Sequence, residues 1–452
     1  MPLSNADINI WQARHAAQIK IIEEMATTIK NGSMDEWGKR IGTTLEYLTW
    51  WSEKQFAFFF EGYKNSLLVD SRNYPIEYAL SLTVNQTAYD ISVLQRAYIQ
   101  RQPTTKDQTS NQGLAGIRDL TGSETLALAD SLAYKALQPA INTKLLENTT
   151  VITYFQKEPK VRVIPYAPLA LIGIPYTCRD SDSNVQDFLA IPHEIGHHVF
   201  WHGKKNYEGL THKPNLRALI YGELTPYPST WYTTWVEEIF ADIYSTIVAG
   251  PVSALSLQDL LYDNLKFNED DGYHPVPRIR PKASFKALEK LGASKAAKKL
   301  ETIWDDRIQK RGLQKTKRVK VQANEPDHFV QNGTAIDYIE SVTDEIFNVL
   351  KDEVYQMVSD TWIKDTNQPL ENLYKQFKQE ILEPLKTLST PPVPNLEKMS
   401  KEQWLEENLQ VQWLNSLEAA SSKGLTLEPT IWMSLLNAGW LSNGPEDDAG
   451  SK

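Results

Sequence analysis

The chain is poor in cysteine, in uninterrupted apolar stretches and in positive charge, and each shortage removes a class of protein. Its one cysteine, Cys178, cannot close an internal disulfide, so a disulfide-stapled scaffold is excluded. No run reaches the roughly 18 apolar residues that a bilayer-spanning helix needs. The longest candidate, Ala167 to Tyr176, is too short and contains prolines. The opening MPLSNADINIWQ has neither the basic segment nor the apolar stretch of a secretory signal, so a cytoplasmic location is expected. Lys and Arg number 47 against 57 Asp and Glu, a formal net charge of −10, so no nucleic-acid partner is expected. The local basic cluster Lys315 to Lys320 reads as a solvated segment. No internal repeat is visible, and nothing in the sequence specifies an oligomeric state.

What is present is an ordinary globular composition, 41% hydrophobic and 23% charged, on 452 residues, long enough for two or three structural units. Apolar residues recur at helical spacing from about Ala6 to Gln102, as in IWQARHAAQIKIIEEMATTI and MDEWGKRIGTTLEYLTWW. A Thr-, Gln- and Gly-rich connection follows, then a helix over GSETLALADSLAYKALQ with Ser123 as its N-cap. Between Thr150 and Cys178 the runs VITYF, KVRVIPY and LALIGIPYT predict a small sheet. Two helical segments rich in His and acids come next, then the proline-dense GYHPVPRIRP and one helix over ASFKALEKLGASKAAKKLETIW. Further helices, the linker STPPVPNLEK and a polar tail close the chain. The expected architecture is α+β and predominantly helical: a helical region over 1–145, a sheet-and-helix core over 146–310, a second helical region over 311–440 and a tail over 441–452.

Five of the eight histidines fall between His193 and His212, and two of them form HEIGH around Glu194. Four residues on a helix return to nearly the same face, so the imidazoles of His193 and His197 can share one ion with Glu194 beside it. Two neutral imidazoles leave a tetrahedral zinc room for one more protein ligand and a water. Downstream, WVEEIFADIYSTIVAGP sets Glu238 and Asp242 four apart on one face. Glu238 can close the metal site, and Asp242 can accept the free ring N–H of a ligating histidine. Glu237 points about 100° from Glu238 and ranks below it as a ligand.

HExxH followed by ExxxD resembles the gluzincins, the thermolysin-like clan of zinc metallopeptidases, over about residues 150–285. The resemblance implies a zincin-like core, one zinc per chain on His193, His197 and Glu238, Asp242 orienting His193, Glu194 as general base, and a peptide or protein substrate. The separation of 41 residues from His197 to Glu238 exceeds the thermolysin-like spacing, so that loop is this chain's own. The flanks EIFADIYSTIVAGP and HPVPRIR are also similar to the prenyl-protein-processing metallopeptidases. A metzincin would need a histidine at position 203, which is Gly203; an aspzincin would draw its third ligand from Asp242.

For the oxyanion of amide hydrolysis the loop DGYHPVPRIR offers His274, Tyr273, Arg278 and Arg280, with His274 preferred on the family pattern. PLALIGIPYT lies where gluzincins place the sheet-edge strand that pairs with substrate. Cys178 reads as a buried inert thiol, His198 and His202 as capping or surface residues, and Pro192 as a kink or fresh helix start. Two other readings stand beside the endopeptidase: a non-catalytic metal- or partner-binding protein on the same core, which an intact Glu194 disfavours, and an aminopeptidase, for which no GxMxN-like anchor string appears.

Overall fold

The computed structural model describes residues 5–32, 36–69, 76–102, 122–180, 184–206, 213–224, 233–313, 317–321, 328–364, 369–388, 393–394, 422–424 and 426–428. The Thr/Gln/Gly-rich connection, the STPPVPNLEK linker, the polar tail and most of the chain after 395 lie largely or wholly outside them. The described chain is predominantly helical with a small sheet, an α+β arrangement. No helix among the described residues is long and apolar enough to cross a membrane.

Three long helices come first: α1 (Asn5–Gly32), α2 (Glu36–Lys64) and α3 (Ile76–Ile99), with Trp51, Leu45, Leu80 and Leu94 fully buried between them. Helix α4 (Ser123–Asn142) starts one residue earlier than a Ser cap would require. Gly122, at φ +72°, stands before its first turn and Ser123 is already helical, so the expected cap is not made. The sheet follows as β1 (Thr150–Gln156), β2 (Lys160–Arg162) and β3 (Leu169–Pro175), in spatial order β1-β3-β2, with β1 parallel and β2 antiparallel to β3.

Both faces of this sheet are covered, and the side-chain alternation of its strands divides the core. Val151, Phe155, Ala170 and Ile172 join one apolar cluster with α4 and the helices downstream. Ile152, Tyr154, Leu169 and Leu171 join the other, with α1 to α3. Helix α4 thus contributes its apolar face to the central core and not to the three-helix unit.

The outer edge of β1 is closed by side chains. Arg40 donates to Val151 O (2.7 Å), Arg101 to Thr153 O (2.6 Å), Asp130 accepts from Thr153 N (2.7 Å), and Gln100 brackets the Phe155 peptide. Asp130 also takes Arg40 (3.2 Å) and Arg101 (2.9 Å) in buried ion pairs. The strand read from the sequence as the substrate-facing edge, β3, is instead the central strand, hydrogen-bonded on both sides, because its all-apolar run suits a doubly covered position. The other edge of the sheet is that of β2, where Val161 N–H donates to Glu194 (2.6 Å).

Next come α5 (Ala190–His202), α6 (Leu216–Glu223), α7 (Trp235–Ala249) and α8 (Pro251–Tyr262). Pro192 sits in the first turn of α5, where its missing N–H costs no helical bond. The segment expected as one helix after the proline-dense loop is two, α9 (Lys282–Lys290) and α10 (Ser294–Lys310), broken where Gly292 adopts φ +78°. A two-stranded ladder, β4 (Arg318–Lys320) with β5 (Phe329–Gln331), precedes α11 (Asn332–Val358), whose Ile339, Val342 and Ile346 enter the same core as α7. Two short helices, α12 (Leu373–Phe377) and α13 (Glu383–Lys386), follow.

Candidate metal centre

The site is built where α5 meets α7. Gly196 lies within HEIGH, and a Cβ placed on it would stand 2.7 Å from Ala241 Cα and 3.0 Å from Ala241 O. The absent side chain lets the two helix backbones approach to a separation no other residue permits. The helices run antiparallel, so His193 faces Asp242 while His197, one turn on, faces Glu237 and Glu238.

His193, His197 and Glu238 form the one group of three metal-capable side chains found among the described residues, their donor atoms within 4.8 Å of one another. His193 Nε2 and His197 Nε2 are 3.2 Å apart, and each is 3.4 Å from a Glu238 oxygen. Zinc bonds to nitrogen and oxygen of about 2.0–2.1 Å imply a ligand–ligand edge of about 3.3–3.4 Å in a tetrahedron. The two imidazole nitrogens lie close to that edge, while the Glu238 carboxylate straddles the pair, with Oε2 toward His193 and Oε1 toward His197.

The proton positions follow from the partners. Asp242 accepts from Arg280 Nε (2.8 Å) and Nη2 (2.9 Å), so it is an acceptor and His193 Nδ1, at 3.0 Å, is the donor. Glu237 Oε1 accepts from Trp201 Nε1 (2.8 Å), an atom that only donates, and His197 Nδ1 donates to the same oxygen at 2.9 Å. Both Nε2 lone pairs therefore face each other and the Glu238 carboxylate. Such a convergence of acceptors is repulsive without a cation or proton at its centre. Burial alone would lower both histidines, yet Asp242 and Glu238 carry His193 up to about 9, and Glu238 with Glu237 raises His197. Burial opposes ionisation of Glu238, but His274, His197 and Arg280 hold it well below the usual carboxylate range.

The donor set, two imidazoles and a carboxylate whose atoms converge within 4.8 Å, fits zinc.

Around this trio the other expected residues take different places. Glu194, buried, accepts from Val161 N on β2 (2.6 Å), which ties the HEIGH helix to the sheet edge. His274 is half-exposed, with Nε2 3.4 Å from Glu238 Oε1 and Nδ1 2.7 Å from Asp271. Asp271 also accepts the backbone N–H groups of Tyr273 and His274, a turn that orients the ring. The field of Glu238 raises His274, and His274 in turn holds Asp271 down to about 2 against its burial. Tyr273 is exposed.

Arg280 does not offer a free oxyanion donor. Its guanidinium is buried and grips Glu238 (2.8 Å) and Asp242, which together push its pKa higher still. Arg278 donates to Asn268 (3.3 Å) and its carbonyl accepts from Trp304. His198, expected as a capping or surface residue, is instead buried, and His202 is part-buried; burial holds His202 at about 4 and His198 well below its ordinary value. Cys178 is buried in a short 3₁₀ turn, and burial pushes its thiol up, away from reactivity.

Two site residues escaped the sequence reading. Glu237 ranks below Glu238 on helical spacing because it points about 100° away, yet its partners lie on α5, where His197 and Trp201 are themselves four apart. Asp271 was missed because its role depends on a turn, although its three-residue spacing to His274 was visible. Comparison with protein-family models, with curated proteins and with solved structures finds no match.

Proposed function

We propose that the chain is a zinc-dependent peptidase of the gluzincin type, with a zincin-like core and one zinc per chain on His193, His197 and Glu238. The observation that carries the proposal is the convergence of those donors, within 4.8 Å of one another, beside a carboxylate, Glu194, already anchored by Val161. Zinc at this position would acidify a water and polarise the carbonyl to be attacked.

The protein's own groups complete the chemistry. Val161 N–H occupies Glu194 Oε2, so Oε1 is the atom that takes the water proton and returns it to the departing amine. His274, aimed by Asp271 through Nδ1, presents Nε2–H as the donor to the developing oxyanion. Tyr273, exposed in the same loop, is available to substrate. With no GxMxN-like anchor for a chain end in the strand region, an endopeptidase is favoured over an aminopeptidase.

Zinc content and cleavage of a peptide library, compared between the native chain and Glu194→Gln, test the reading. Metal retained with hydrolysis lost is the expected result. A native chain that takes up no zinc, or that carries zinc and cleaves no peptide, would refute it.

A further inference from the structure

Glu237 does more than stand next to a ligand. Its Oε1 is shared by two donors from one face of α5, His197 Nδ1 at 2.9 Å and Trp201 Nε1 at 2.8 Å. The indole cannot accept, so it holds the carboxylate in the one orientation that leaves the imidazole as second donor. Trp201 is itself fixed: it is 6% exposed, and the Arg217 guanidinium of α6 lies 3.8 Å above its ring centroid, with Tyr221 at 5.4 Å from the same guanidinium. A continuous stack therefore runs from α6 through Trp201 and Glu237 to His197.

We infer that Glu237 is a positioning residue for the metal centre, and that Trp201, clamped under Arg217, sets its carboxylate. The inference rests on the metal-centre reading above. It assigns each histidine its own acid, Asp242 for His193 and Glu237 for His197, so that α7 supplies one ligand and both orienting groups within two turns. The two acids are not equivalent. Asp242 is buried and neutralised by Arg280, whereas Glu237 is 25% exposed on its side chain and answers to a neutral indole. The Glu237 contact thus leaves more negative charge on its histidine, which makes His197 the more strongly donating imidazole.

The test uses the full-length chain, stripped of metal and titrated with Zn2+ against a chelator, and with Co2+ followed by its visible absorption bands. Glu237→Ala is expected to weaken zinc binding by about 10- to 100-fold and to move the cobalt bands. Glu237→Gln keeps an acceptor oxygen and should recover part of the loss. Trp201→Phe keeps the ring under Arg217 but deletes the N–H, and should weaken binding in the same direction by less. Glu237→Ala with native zinc affinity and native cobalt bands, whatever its unfolding temperature without metal, would overturn the inference and leave the metal centre standing. A native chain that binds neither ion removes both.

Discussion

Replacing Gly196 by Ala tests whether helix packing sets the metal geometry. The new methyl would meet Ala241 Cα at 2.7 Å, its carbonyl O at 3.0 Å and its Cβ at 3.2 Å. The nearest two are backbone atoms that no rotamer change can move. Reaching ordinary contact at 3.4 Å from Cα requires α5 and α7 to separate by about 0.7 Å. Overpacking of this kind costs about 1–3 kcal/mol, and the gain in helix propensity on losing a glycine returns about 1 kcal/mol. The metal-free protein should therefore lose about 0–2 kcal/mol. The site should suffer more, because His193 and His197 ride on α5 while Glu238 rides on α7, and metal–ligand distances tolerate only about 0.2 Å.

Zinc affinity is expected to fall about tenfold or more, which removes about 1.4 kcal/mol from the stabilisation that saturating zinc confers. Unfolding followed with and without zinc, together with chelator competition, reads both quantities. A Gly196→Ala chain that loses stability without metal yet binds zinc as the native chain does would show that the close approach serves packing alone.

Other perturbations have equally definite outcomes. Asp130→Asn leaves Arg40 and Arg101, both nearly inaccessible, without their carboxylate; the loss should be about 3–5 kcal/mol in denaturant unfolding. Arg280→Met strands Glu238 and Asp242, so the metal-free chain should lose stability by a similar amount, about 3–5 kcal/mol, with much of it restored on adding Zn2+. The acid side of the stability curve should depend on His15, which burial holds at about 4 against its hydrogen bond to Ser52. The folded value lies below the unfolded one, so the unfolded chain binds the extra proton and stability is lost as pH falls from about 6.5 to 4. In His15→Gln the fall in denaturation midpoint over that window should be shallower; an unchanged slope would assign it to other groups.

Much of the centre could be read from one dimension because its parts are local. HEIGH and EEIFAD are each a single helical turn or little more, and a helix fixes which residues share a face regardless of what surrounds it. The spacing therefore singled out His193, His197, Glu238 and Asp242, and the same periodicity marked the helices of the N-terminal third. Strands β1 and β3 were legible for a related reason, their apolar runs being too short and too β-branched for helices. The break between α9 and α10 at Gly292 is not legible from spacing, since a positive φ is invisible until the chain around it turns.

What lay beyond the sequence depends on which elements meet. Glu237 becomes useful only because α5 runs antiparallel to α7 and brings Trp201 and His197 to it. Arg280 looks like an anion-binding group in a proline-rich string, yet packing delivers it to two buried carboxylates whose charge it offsets. His198 and His202 read as polar surface, but they line a pocket with Leu145, Leu146, Ala167 and Pro168 in which the first is buried and the second part-buried. The order β1-β3-β2 reversed the expected role of β3, since an apolar strand is stable in the centre of a doubly covered sheet and a short polar one at its edge. Residue type and helical spacing determined the chemistry available to this chain. Only long-range packing decided how each charge is paired and which strand takes the centre of the sheet, because those depend on contacts between segments tens of residues apart.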